Sequence, residues 1–146
     1  MNDLEYQLIN EAHFNYGNTL FAMRGSVLAI EREIAKGNIP ADSNEFKNVV
    51  RGYTILDLNY QCIDTSRYDK EHGGLIMREI KEQRLPELRQ LIEDFKRALE
   101  CSDKEELQEK LQYLKRSVCD LSSLGSRFCC LPKYQQYRKK HRERSG

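Results

Sequence analysis

The first 35 residues constrain this chain most, because Ile9, His13, Tyr16, Leu20, Met23, Val27, Ile30 and Ile34 step by four, three, four, three without a break. That alternation is the period of an α-helix showing one face to a core. Phe14, Phe21, Leu28 and Ala35 repeat every seven residues beside it. The two rows together are expected to widen the buried face to about three positions in seven, as in a helix of a multi-helix bundle rather than a two-stranded seam. Asp3 can cap the start, and Lys36-Gly37-Asn38 supplies a cation and then a glycine suited to the left-handed position past a helix end. The expectation is a helix of about 33 residues, roughly 50 Å long. Gly17 and Gly25 fall inside it, each costing up to about 1 kcal/mol against alanine. A neighbouring helix passing close by, or simple tolerance within so long a helix, is expected to offset them, with a functional kink as the alternative.

Three further helices are delimited by start and stop signals. Asp42 and Glu45 form an acidic capping box before Phe46, Val49, Tyr53, Leu56, Tyr60 and Ile63. A polar stretch follows, and Gly73-Gly74 is the strongest break in the chain, so the second helix should fray or continue as an exposed turn up to it. Residues 75–85 and 86–99 read as a third helix whose second half presents Leu88, Leu91, Ile92, Phe95 and Leu99. Pro86 removes a backbone donor and disfavours the α region at Leu85, which predicts a kink or split there. Ser102 and Glu105 read as a capping box for the fourth helix, where Leu107, Leu111, Leu114, Val118 and Leu121 recur before Gly125. Short connections favour antiparallel neighbours in up-down-up-down order. The fold class expected is therefore all-α, an antiparallel four-helix bundle over residues 1–132.

A chain of 146 residues suits one domain, and its 39% hydrophobic and 32% charged content suits slender amphipathic helices. Apolar runs fall short of the roughly 18 to 20 residues of a membrane span, and Met1-Asn2-Asp3-Leu4-Glu5 has no signal-peptide character. A cytoplasmic location without membrane contact is expected. The five cysteines, Cys62, Cys101, Cys119, Cys129 and Cys130, form no CxxC pair and read as reduced, mostly buried small apolar side chains. Adjacent Cys129 and Cys130 cannot easily both reach one tetrahedral ion, so no metal site is expected. From Lys133 onward six Lys or Arg stand against the single acid Glu143, a charge of +5. The whole-chain charge of +1 then leaves −4 for residues 1–132, a mildly acidic body with a basic C-terminal tail over residues 133–146.

Catalytic motifs are scarce: there is no GxSxG, P-loop, dinucleotide-binding glycine pattern or HExxH, and no pair of Glu-x-x-His sequences for a di-iron bundle. His13 on the apolar stripe reads as a hydrogen-bonded core or edge histidine. Arg67-Tyr68-Asp69-Lys70-Glu71-His72 has an arginine, four residues and a histidine. It resembles the short motif of HEPN-type ribonucleases, which are helical bundles that commonly dimerise to bring two such motifs together. The resemblance covers six residues, and Tyr68 stands where the stricter pattern has a polar one. It implies that Arg67 would hold the scissile phosphate while His72 acts as general base or acid on the 2′-hydroxyl. In the tail, Lys133, Tyr134, Tyr137, Arg138, Lys139, Lys140, Arg142 and Arg144 combine cations with two aromatic rings, a mixture suited to phosphate contacts and base stacking.

The leading expectation is a non-enzymatic interaction protein of regulatory or accessory type. It would bind a protein partner or a second copy of itself through a helix face, with the tail as the candidate contact to RNA or DNA. A HEPN-like ribonuclease and a structural homodimer are the alternatives. No cofactor and no small-molecule substrate are implied.

Overall fold

A computed structural model describes residues 3–38, 43–69, 73–101 and 103–129. Among them the fold is all-α, without strands. Helix α1 spans Asp3–Ala35, α2 Asn44–Gln61, α3 Gly74–Glu79, α4 Leu85–Cys101 and α5 Lys104–Cys129. A 3-10 turn lies at Thr65–Arg67, and a π segment, Ile80–Arg84, joins α3 to α4 in one helical run. No described helix is long and apolar enough to cross a membrane.

The end of α1 follows the sequence closely. Gly37 takes a φ of 89°, its N–H donates to Ile34 O at 3.0 Å, and Asn38 N–H donates to Glu33 O at 3.0 Å. This pair of bonds is the Schellman motif. The other boundaries differ from expectation by a residue or more. The α2 cap is Ser43, whose Oγ accepts the Phe46 N–H at 3.1 Å; Asp42 lies outside the described residues. At α5 the Asp103 carboxylate accepts the Glu105 and Glu106 N–H groups at 3.0 and 3.3 Å; Ser102 lies outside the described residues. In both places the polar side chain one residue nearer the helix takes the free amides.

Helix α2 ends at Gln61 instead of running on towards the glycines. Asp64 starts a separate turn there by accepting from the Ser66 N–H at 3.1 Å and the Ser66 hydroxyl at 2.6 Å. These bonds hold its carboxyl below the usual aspartate value. At the break itself Gly73 has a φ of 85°, and a Cβ on Gly74 would lie 1.9 Å from the Tyr68 carbonyl oxygen.

Pro86 does not push Leu85 out of the α region, for Leu85 has φ −68° and ψ −43° and is fully buried. The Leu85 N–H reaches back five residues to Ile80 O. The wider π turn places the proline where its missing donor is tolerated.

Helix α1 packs against α2 and α5, α5 packs against α4, and α4 packs against α2. One core unites them, built from the α1 stripe with Val49, Leu56, Ile80, Leu88, Phe95, Leu111 and Leu121 among others. Phe46 and Phe95 meet with ring centroids 5.5 Å apart, tilted at 42°, which ties α2 to α4. At the other end Lys81 donates to Ile63 O at 2.9 Å.

Two glycines answer for close helix approach, and they are not the two singled out from the sequence. A Cβ on Gly52 would sit 2.4 Å from Met23 Cγ, and one on Gly125 would sit 2.7 Å from Tyr16 Cε1. Gly125 does not stop the last helix; α5 runs on to Cys129, and the gap at Gly125 receives the Tyr16 ring. Gly17 and Gly25, by contrast, would meet nothing within 4 Å. Gly25→Ala should therefore raise the stability of the dilute chain by up to about 1 kcal/mol, as measured by urea unfolding; a loss would mean that the position is confined.

Three of the five cysteines depart from the expected burial, while Cys130 and the Cys129 side chain lie outside the described part of the chain. Cys62, Cys101 and Cys119 are free and exposed, at the end of α2, at the end of α4 and on the outer side of α5.

Candidate interaction surface

The second row of α1 faces water. Phe14 is 68% exposed and Phe21 80% exposed; Leu28 is half-buried and Ala35 exposed. This corrects the expectation that the row broadens the buried face. The core is complete without it, since the main stripe of α1 is already closed off by α2 and α5. Two phenyl groups seven residues apart are thus left on the outer surface, with exposed Gly17 between them.

Beside them runs a cleft of about 300 Å³ between α1 and α5. Gly17, Phe21 and Arg24 form its α1 wall and Ser122, Gly125 and Ser126 its α5 wall. Its floor is Tyr16, buried to 1% exposure, with the half-buried His13 ring stacked on it at 6.2 Å. The Tyr16 hydroxyl donates to the Leu121 carbonyl oxygen of α5, and Tyr60 of α2 meets the ring edge-on at 5.7 Å. Burial, then the neighbouring Tyr60 and Glu79, push the Tyr16 hydroxyl far above its ordinary pKa of 10.0, so it stays a neutral donor. The cleft is walled by small residues on α5 and by the larger Phe21 and Arg24 on α1.

Farther along the seam, Glu31 accepts from Gln112 at 3.0 Å and from Lys115 at 3.3 Å. The Gln112 bond chiefly, and Lys115 with it, hold its carboxyl below the usual 4.5. A second groove of about 490 Å³, on the α2 side of α1, is lined by Asn18, Thr19, Ser26 and Arg51 among others. Ala22, Met23 and Ile55 add apolar surface to it.

The residues picked out from the sequence lie elsewhere. Arg67 is exposed in the 3-10 turn, and His72 falls outside the described residues. Lys133, Tyr134, Tyr137, Arg138, Lys139, Lys140, Arg142 and Arg144 also lie outside them. Among the described residues no three His, Cys, Asp or Glu side chains gather as a metal site would require. No protein-family model matches the chain, and no curated protein or solved structure matches it. The outward face of α1 is the feature that sequence reasoning missed. Its signal was present in the seven-residue repeat, which does not say whether a row flanking the core is covered or bare.

Proposed function

We propose that this chain is a non-enzymatic interaction protein, an antiparallel four-helix bundle that binds another protein through the outer face of α1 and the α1/α5 cleft. The observation that carries the reading is the exposure of Phe14 and Phe21 on one face beside that cleft. Exposed side chains of this kind scattered singly need no partner, whereas two phenyl groups on one helix face, one of them lining a cleft, have the form of a docking site.

Several contacts support the antiparallel arrangement. Going down α1 from Glu31 to Tyr16, the partners on α5 rise from Lys115 to Leu121. From Met23 to Tyr16, those on α2 rise from Gly52 to Tyr60. The Phe46–Phe95 and Ile63–Lys81 contacts run the same way between α2 and the α3–α4 run. Arg84 lies 3.9 Å from Asp120 of α5. The π segment ahead of Pro86 supports a bend in the third helical run.

A photo-crosslinking amino acid at position 21 in the cell tests the docking face. Crosslinked protein products are expected from position 21 and not from position 58, whose leucine is comparably exposed on α2. Equal yields from both positions, or none from position 21, would remove the α1 face from the account.

The basic tail is proposed as a separate contact to nucleic acid, supported by its +5 charge and two tyrosines. Deleting residues 133–146 should abolish salt-sensitive binding to single-stranded RNA or DNA. Binding that survives the deletion would put the contact elsewhere.

A further inference from the structure

The outward stripe of α1 is symmetric about Phe21. Phe14 stands seven residues before it and Leu28 seven after; Gly17 stands four before and Gly25 four after. At 100° per residue all five fall within one strip of the helix surface. A large apolar residue, a glycine, a phenylalanine, a glycine and a large apolar residue thus read the same in both directions. Two-fold pairing of identical antiparallel helices requires a patch that is complementary to itself, and a run of this kind meets the condition by setting apolar residues opposite apolar ones and glycine opposite glycine.

We infer that the partner of this face is a second copy of the chain, its α1 crossing the first antiparallel with the two-fold axis at Phe21. The inference rests on the docking role proposed for α1 and names the occupant. Phe14 of one copy then lies opposite Leu28 of the other, Gly17 lies opposite Gly25, and the two Phe21 rings meet over the clefts beside them.

Three observations point to this occupant. Gly17 and Gly25 weaken a helix interior, and nothing in their own chain comes within 4 Å of where a Cβ would be. The space beside both is therefore open to a partner, and glycine is what permits two helix backbones to approach closely. The flanking charges also complement one another. Glu11, ten residues before Phe21, comes nearly level with Arg32 of the other copy, eleven residues after it, so that an acid meets a base at both ends of the contact. Both side chains are exposed, and neither forms an ion pair with another described residue of its own chain. Finally, four phenyl groups of this exposure supply on the order of 600 Å² of apolar surface, about half of the ~1,200 Å² at the lower bound of specific interfaces. The half-buried Leu28 pair and the closely apposed glycine backbones add to it.

Sedimentation equilibrium of the full chain with variants tests the pairing. The wild-type chain should dimerise, and Phe21→Glu should weaken association on the order of 100-fold with unchanged helical dichroism. Glu11→Arg should weaken it roughly tenfold, and the double swap Glu11→Arg with Arg32→Glu should restore it. Gly25→Ala should weaken association while stabilising the dilute chain. A monomeric wild type, a dimer indifferent to Phe21→Glu, or a double swap that fails to restore pairing would overturn the inference. A different protein crosslinked at position 21, together with a monomeric wild type, would overturn self-pairing alone and leave the docking role standing.

Discussion

Tyr16→Ala should lower the unfolding free energy by about 3 to 5 kcal/mol, the cost of removing a large buried aromatic ring. The ring is the joint between three helices. It fills the space that Gly125 leaves on α5, it meets Tyr60 of α2 edge-on, and its hydroxyl reaches the backbone of α5 at Leu121. Tyr16→Phe isolates the last of these and should cost about 0.5 to 1.5 kcal/mol, the worth of a single neutral hydrogen bond. Phe21→Ala, five residues along the same helix, removes a ring that is 80% exposed and should change the stability of the dilute chain by less than about 0.5 kcal/mol. Chemical denaturation of the three variants at low protein concentration checks the contrast. A Tyr16→Ala cost below about 1 kcal/mol would mean that the α1/α5 seam is not closed as described.

The second large effect is expected at the break before α3. Gly74→Ala would put a Cβ 1.9 Å from the Tyr68 carbonyl oxygen and 2.7 Å from its carbon. Those are backbone atoms, so no side-chain rotation relieves the contact. The Gly74 N–H also donates to Asp69 O at 2.8 Å, which ties the segment down from the other side. The expected loss is about 3 kcal/mol, the upper end of overpacking costs. Gly73→Ala should cost about 1 to 2 kcal/mol, since its φ of 85° disfavours any side chain. Thermal unfolding of both variants measures this. Two variants as stable as the parent would show that the 3-10 turn does not fold back onto the start of α3.

The helices were legible in the sequence because burial imposes a period, and the stripe from Ile9 to Ile34 carries it through eight positions. The end of α1 was legible for a similar reason: Gly37 occupies a position that only a few residues tolerate. Three things were not legible, each with a physical cause. A seven-residue repeat is the same whether a row lies under a neighbouring helix or beside it, so Phe14 and Phe21 read as core although α2 and α5 leave them bare. The role of a glycine depends on what stands opposite. Gly125 continues the α5 row four residues after Leu121 and so lay on its buried face, yet it read as a helix stop, while Gly17 and Gly25 read either as points of close helix approach or as tolerated within a long helix, and the open space beside them leaves only the second inside this chain. Proline rules describe the α-helix, and the π turn at Ile80–Arg84 shifts the hydrogen bonding by one residue, which keeps Leu85 helical. The cleft between α1 and α5 joins residues more than a hundred positions apart, such as Gly17 and Ser126, and pattern along the chain does not pair them.

The docking role proposed for α1 requires one surface to be bare in the isolated chain and covered in the working one. Side-chain oxidation by hydroxyl radicals, read residue by residue in the cell and in dilute purified protein, measures this directly. Phe14 and Phe21 should react several-fold less in the cell than in dilute solution, while Leu58 and Leu75, on other helices, keep the same rates. Equal protection at all four positions, or none at Phe14 and Phe21, would contradict it.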